Sequence, residues 1–342
     1  MFFSLYALQH RGQESAGIAA TDGHDLRVVR RMGLVGQVFS EPDLGVLGGR
    51  AAMGHTRYST TGSSKIQNAQ PFVVRDETLG ELAIGHNGNC INARQMRDEL
   101  GAQGVRFVTS SDTEVVAAAM ANALGGSWDE RIVNALPRLA GAWSLVMLTP
   151  NALYAVRDPL GVRPLCLGRK GDAWLVASET CALDTIGATF IREVAPGEVL
   201  RIDDRGAVQI ADLAAGRRGL CVFEHVYLAS ASSKLGGGSV YATRERMGEI
   251  LADEHPALAD VVIPVPDSAI PAAVGYARRS GIPFQEGLIK NRYIGRTFIQ
   301  PSDELRKHSV ALKYNALGDV LEGKRIVVVD DSIVRGNTSG PI

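Results

Sequence analysis

"IVVVDDSIVRGNTSG", Ile326 to Gly340, runs from branched apolar residues into two adjacent acids and then into a loop of glycine and hydroxyl residues. Such a run, Ile326 to Val329, predicts a short strand buried on both faces, as in a parallel sheet covered by helices. Asp330 and Asp331 then fall at its carboxyl end, where open α/β sheets take up ligands. Beyond them Arg335, Gly336, Asn337, Thr338 and Ser339 offer lightly covered backbone N–H groups, two hydroxyls and a cation, which suits a phosphate ahead of a helix. The paired carboxylates suit vicinal sugar hydroxyls or a hard cation such as Mg²⁺. Acid pair plus phosphate loop describes a ribose 5-phosphate site, and a solvated acidic turn capping a helix is the alternative.

Working outward, "VVIPVPDSA" (Val261 to Ala269) repeats the plan of strand, Pro-fixed turn and Asp-Ser at a helix start, which puts a second anion or metal site at the same sheet edge. "GLIKNRYIGRTFIQPSDELRK" gathers Lys290, Arg292, Arg296, Arg306 and Lys307 in a weakly periodic stretch, a loop able to close over a polyphosphate. Helix and strand patterns alternate from "YATRERMGEILADEH" through "RIVVVDD", the mark of a parallel sheet with crossover helices. "LGGGS" (Leu235 to Ser239) lacks the lysine and spacing of a nucleotide P-loop and reads as a flexible turn before a helix. Up to about Asp212 the pattern differs. Short strands such as "AWSLVML", "ALYAVRD", "AWLVAS" and "GEVLRID", with a helix over Thr113 to Leu124, predict an α+β domain. The expected division is residues 1–215 and 216–342.

Composition narrows the class. The chain has 342 residues, 45% hydrophobic, with Lys+Arg 36 against Asp+Glu 37, so nothing in the charge points to nucleic acid or an anionic membrane. No apolar run reaches spanning length, and "MFFSLYALQH" lacks the basic start of a signal peptide, which makes a cytoplasmic location the expectation. Cys90, Cys166, Cys181 and Cys221 are too scattered for a zinc site or a disulfide scaffold.

The motifs "DDSIVRGNTS", "PVPDSA" and "KNRYIGRTFIQP" closely resemble the type I phosphoribosyltransferase domain of the amidophosphoribosyltransferase family. "LQHRGQESAGIA", "GHTRYSTTGSS", "AQPF", "GHNGN" and "SSDTE" resemble that family's N-terminal nucleophile (Ntn) glutaminase domain, a four-layer αββα fold. The resemblance implies that Arg57 binds the α-carboxylate of glutamine and Asp112 its ammonium group, with Tyr58, Thr60 and Gly62 beside them. It makes the Asn87 side chain and the Gly88 N–H an oxyanion hole. His10 and Arg11 would position backbone, and His55, His86 and Cys90 would be structural. It gives Asp330 and Asp331 to ribose hydroxyls and Mg²⁺, with Ser268 near the metal. Arg335 to Ser339 would hold the 5-phosphate; Pro266, Asp267 and Ser268, with Lys290 and Arg292, would approach the pyrophosphate.

The reaction implied is formation of 5-phosphoribosylamine, glutamate and pyrophosphate from phosphoribosyl pyrophosphate, glutamine and water, at the opening of purine synthesis. Purine nucleotides as feedback inhibitors and a homo-oligomer belong to the same expectation. The sequence also departs from the family. Members begin with a cysteine whose thiol is the nucleophile, and no cysteine precedes Cys90 here; the family also continues past "RGNTS". The chain therefore reads as lacking both ends and as inactive with glutamine. Cys221 corresponds to an iron–sulfur ligand in some relatives, but one ligand does not make a cluster site. A phosphoribosyl pyrophosphate-binding regulator without catalysis, or another Ntn glutamine amidotransferase, are the alternatives.

Overall fold

The structure, a computed structural model, describes residues 1–59, 62–291, 313–333, 340 and 342. It divides into two compact units, Met1–Cys221 and Val222–Ile342.

The strands of the first unit are, in chain order, β1 (Ser15–Thr21), β2 (Leu26–Met32), β3 (Ala51–Arg57), β4 (Phe72–Asp76), β5 (Gly80–Cys90), β6 (Gly141–Leu148), β7 (Leu153–Arg157), β8 (Cys166–Lys170), β9 (Ala173–Ala177), β10 (Thr189–Glu193), β11 (Glu198–Asp203) and β12 (Gly206–Asp212). They form antiparallel sheets in the orders β2-β1-β3, β12-β11-β7-β6-β5-β4 and β10-β8-β9. Side-chain alternation sorts the layers. On β1, Ala16, Ile18 and Ala20 meet Leu5, Val35, Val38 and Phe39 of the helical segments, while Ala19 points the other way, onto Met53, Ala83 and Leu148. On β5, Leu82 and Ile84 face Val115, Val116, Met120 and Ile132 of the helices Asp112–Ala121 and Trp128–Ala135. Helix, sheet, sheet and helix follow in that order, the αββα arrangement. Each fully buried Leu, Ile or Val of this core contributes roughly 1.5–3 kcal/mol of transfer free energy.

The helix predicted over Thr113 to Leu124 runs Asp112–Ala121. The Ser111 hydroxyl caps it, accepting from the Thr113 N–H at 3.2 Å. At its end the Asn122 side chain donates to the Ala118 carbonyl at 2.8 Å, a local bond that competes with a further turn.

In the second unit β13 (Lys234–Leu235) and β14 (Gly238–Ser239) make a hairpin. "LGGGS" is thus a turn before a helix, and a tight one: Gly236 and Gly237, at φ +60° and +81°, take the left-handed conformations that a two-residue hairpin loop requires. Ser239 then caps the helix Val240–Glu254. β15 (Val261–Pro264) runs parallel to β18 (Ile326–Val329), and β16 (Leu288–Lys290) pairs antiparallel with β17 (Tyr314–Ala316). The helices Val240–Glu254 and Ile270–Ser280 cover one face of β15 and β18 through Ala252, Ala273, Tyr276 and Ala277, against Val262 and Val329.

The expectation of burial on both faces of β18 fails at Val328, which is 48% exposed. Among the described residues the second face is covered only by Leu288, Tyr314 and Leu321, which reach Ile326 but leave Val328 in the open.

Candidate functional site

The site residues of the first unit come from three neighbouring places. Arg57 ends β3, Asn87 and Gly88 lie on β5, and Asp112 opens the helix Asp112–Ala121. Arg57 is 3% exposed, and its Nη1 donates to Glu14 Oε2 at 3.0 Å and to the Ser63 carbonyl at 3.2 Å. The other oxygen of Glu14 accepts the N–H and hydroxyl of Ser59, at 3.2 and 2.6 Å. Burial lowers the Arg57 pKa while the charges of Glu14 and Asp112 raise it, so both carboxylates lie within electrostatic reach of the guanidinium. Tyr58 is 57% exposed, and Thr60 lies outside the described residues.

Asp112 is 6% exposed, and its Oδ2 accepts the Cys90 N–H at 3.0 Å. Gly88 has φ +150°, and a Cβ there would meet the Ala142 carbonyl oxygen at 2.1 Å, so only glycine fits opposite β6. Beside it the Asn87 Nδ2 is buried with no hydrogen-bond partner among the described residues. A buried donor without a partner is rare because it forfeits hydration for nothing in return, and it marks a place where a ligand oxygen can be received.

The histidines are packed rather than poised. His55 Nε2 donates to the His86 carbonyl at 3.1 Å, and burial pushes the His55 pKa down to about 4. Burial also lowers the His86 pKa, with Asp112 opposing. Burial, with Asp112 adding to it, pushes the Cys90 thiol up to about 11, and its Sγ donates to Asn92 Oδ1 at 3.2 Å, so Cys90 is not an activated nucleophile.

His10 Nε2 and Arg11 Nη1 reach Glu179 Oε1, at 2.8 and 2.5 Å, because that carboxylate is fully buried and needs hydrogen-bond partners. His10, Glu179 and Cys181 have ligand atoms within 4.8 Å of one another, the one cluster of three such His, Cys, Asp or Glu side chains among the described residues. The Arg11 guanidinium on the same oxygen opposes a cation there. Two further residues escaped the sequence reading. Asp158, fully buried, accepts the N–H groups of Trp143, Leu160 and Val162 at 3.3, 2.9 and 3.0 Å, and so pins the residue of β6 that pairs with Gly88. An acid before proline in "RDPLGVRPL" was the available signal. Glu14 carried none.

In the second unit β15 and β18 bring their two turns together. The Val265 N–H donates to the Val329 carbonyl at 2.8 Å, and the Ser268 hydroxyl donates to Asp331 Oδ2 at 2.5 Å. Ser332 Oγ donates to Asp331 Oδ1 at 2.7 Å, and the Asp331 N–H reaches Asp330 Oδ1 at 2.8 Å. Lys290 pairs with Asp267, and the Tyr314 hydroxyl donates to the Pro266 carbonyl at 3.1 Å. Burial raises the Asp330 pKa, and the charge of Asp331 adds to the effect. Burial and then the charges of Asp330, Asp267 and Asp331 push the Tyr314 phenol up to about 12. These hard oxygens fit Mg²⁺. Arg292 and the loop Arg335, Gly336, Asn337, Thr338 and Ser339 lie outside the described residues. Cys221 meets Arg163 Nη1 at 3.9 Å, and none of the other three cysteines joins it in a ligand group among the described residues, so the residues present do not fit an iron–sulfur cluster. Nor is any helix among the described residues long and apolar enough to cross a membrane.

Comparison with known proteins extends over both units. A family described as "Glutamine amidotransferase domain" matches residues 55–185. The amidophosphoribosyltransferase of Synechocystis is 51% identical over 347 residues, covering 100% of this chain and 70% of that protein, and the one of Archaeoglobus fulgidus is 50% identical, covering 99% and 74%. The solved structure of the Bacillus subtilis glutamine phosphoribosylpyrophosphate amidotransferase, complexed with ADP and GMP, superposes with a TM-score of 0.92 at 46% identity, over 100% of this chain and 74% of that one.

Proposed function

Because the chain belongs to the amidophosphoribosyltransferase family, we propose that its two units hold the two halves of one reaction, glutamine in the first and phosphoribosyl pyrophosphate in the second. Water releases ammonia from the glutamine amide, leaving glutamate, and the ammonia displaces pyrophosphate from the sugar, giving 5-phosphoribosylamine. The observation that carries the first half is the buried Asn87 Nδ2, an N–H without a partner among the described residues, beside a glycine that no other residue can replace.

In this reading the fork of Arg57 takes the α-carboxylate of glutamine and Asp112 its ammonium group. Asn87 Nδ2 and the Gly88 N–H receive the oxygen of the side-chain amide as it gains charge. None of these groups must move a proton; they bind and orient. The attacking thiol is not supplied by Cys90, whose proton is held tightly. In the second unit Asp330 and Asp331 orient the ribose hydroxyls, and Arg335 to Ser339 cradle the 5-phosphate. Pro266, Asp267 and Ser268, with Lys290 and Arg292, face the pyrophosphate. Asp330, Asp331 and Ser268 would hold Mg²⁺. When bound, Mg²⁺ neutralises the departing pyrophosphate. Lys290, now paired with Asp267, exchanges that carboxylate for phosphate oxygens. The Bacillus subtilis relative was solved with ADP and GMP, which supports purine nucleotides as regulators of this chain as well.

Calorimetric titration tests both halves. L-glutamine should bind without Mg²⁺, and phosphoribosyl pyrophosphate should bind in its presence. Absence of heat from glutamine would remove the first assignment, and Mg²⁺-independent binding of the sugar pyrophosphate the second.

A further inference from the structure

Three buried polar side chains of the first unit close a ring that the reaction itself does not call for. Gln70 Oε1 accepts the His86 N–H at 2.8 Å, Gln70 Nε2 donates to Thr113 Oγ1 at 3.0 Å, and Thr113 Oγ1 lies 3.2 Å from His86 Nδ1. All three are buried. Placing polar groups there costs desolvation that an apolar trio would avoid, so the ring needs a reason beyond packing. Position supplies one. His86 precedes Asn87 on β5, and Thr113 follows Asp112 in the first turn of its helix. The Gln70 amide therefore spans from the backbone beside the oxyanion donor to the side chain beside the proposed ammonium acceptor.

Gln70 is itself held firmly. Arg30 Nη1 donates to the carbonyls on either side of it, Ala69 at 2.8 Å and Pro71 at 3.1 Å. Its own carbonyl lies so close to β1 that a Cβ on Gly17 would approach it to 2.1 Å. The ring is thus tied through Gln70 to the three-stranded sheet. Without it, the described links between the two substrate-facing elements nearby are the Cys90 N–H to Asp112 Oδ2 bond and the approach of His86 Nδ1 to the same oxygen at 3.8 Å.

We propose that Gln70 and Thr113 are positioning residues of the glutamine site, setting the distance between the Asp112 carboxylate and the Asn87 amide so that the ammonium and side-chain amide of one glutamine reach both. This rests on the glutaminase reading above. It also assigns a preference. A ligand that uses only Arg57 and the oxyanion donors does not need the Thr113 arm, whereas glutamine does.

The test compares L-glutamine with glutaramate, which is glutamine without its α-amino group, by calorimetry on the whole chain. Thr113→Val keeps shape and removes the hydroxyl. It should weaken glutamine about tenfold, the scale of a lost buried hydrogen bond, while glutaramate changes by less than about twofold. Thr113→Ser, which restores the hydroxyl, should restore glutamine affinity. Gln70→Met should weaken both ligands, since it releases β5 as well; if that variant does not fold, the two Thr113 variants decide alone. Equal weakening of both ligands by Thr113→Val, or unchanged glutamine affinity, overturns the positioning role and leaves the glutaminase reading intact. Failure of the unaltered chain to bind glutamine overturns that reading, and the inference with it.

Discussion

In the first unit Asp112 is 6% exposed and already accepts the Cys90 N–H, with the buried Arg57 guanidinium in reach, and the buried Asn87 Nδ2 has no partner among the described residues. In the second unit Asp267, Asp330 and Asp331 gather around Tyr314, and Lys290 pairs with the first of them. One region has its charges paired and its donors fixed before any ligand arrives. The other concentrates negative charge where, in the proposed reading, a polyanion binds, which is tenable only if a cation comes with the ligand. A zwitterion such as glutamine needs a preformed pair of opposite charges, and a Mg²⁺-bound pyrophosphate needs an acidic seat. The contrast is between preorganisation and charge held back for a metal.

The largest test of that contrast is Arg57→Ala. Truncation leaves Glu14 and the ligand carboxylate unpaired, and glutamine binding should weaken by about 2–5 kcal/mol. Binding of phosphoribosyl pyrophosphate with Mg²⁺ should not change, and equal loss for both ligands in calorimetry would erase the division of labour.

Acid should also separate the units. His55 has its pKa lowered to about 4 by burial, from 6.5 when unfolded, so between those values the unfolded chain binds a proton that the folded chain refuses. Its contribution is present above pH 6.5 and is lost as pH falls toward about 4, up to ~3 kcal/mol. Asp330 has the opposite sign: its pKa is raised, so the folded form holds a proton that the unfolded form releases, and stability falls as pH rises through that raised value. All three tryptophans, Trp128, Trp143 and Trp174, lie in the first unit, so denaturant unfolding followed by their fluorescence reads that unit alone. A midpoint that does not fall on acidification from pH 6.5 to about 4 would contradict the buried neutral His55.

A smaller effect is expected from the acids. Asp330→Asn with Asp331→Asn should reduce the Mg²⁺ dependence of inorganic pyrophosphate binding about tenfold, because less repulsion is left for the cation to cancel. Unaltered dependence would return the pair to the role of a strand end. The smallest is Tyr314→Phe. Losing the bond to the Pro266 carbonyl should cost about 0.5–1.5 kcal/mol, visible as faster amide exchange in β17 and the Pro266 turn, with the first unit unaffected.

Much of this was legible in the chain. The strands around "AWSLVML" and "GEVLRID" announce themselves by alternation, the crossover helices by their period, and the acid pair by its place after β18. Other features were not. "LGGGS" shows only that glycine is needed, and the conformations of Gly236 and Gly237 made it a hairpin. Val328 belongs to an apolar run yet stands exposed, because a run reports residue type and not the cover its neighbours provide.

By itself the sequence determined the element order and the two architectures, since these depend on local period and on motifs a few residues long. Tertiary structure alone decided the partners: Glu14 for Arg57, Glu179 for His10 and Arg11, and Gln70 between His86 and Thr113. The physical reason is that a buried charge or amide is settled by whichever donor or acceptor the packed sheets bring within about 3 Å. His10 and Glu179, for example, are 169 residues apart, a separation at which no local pattern links them.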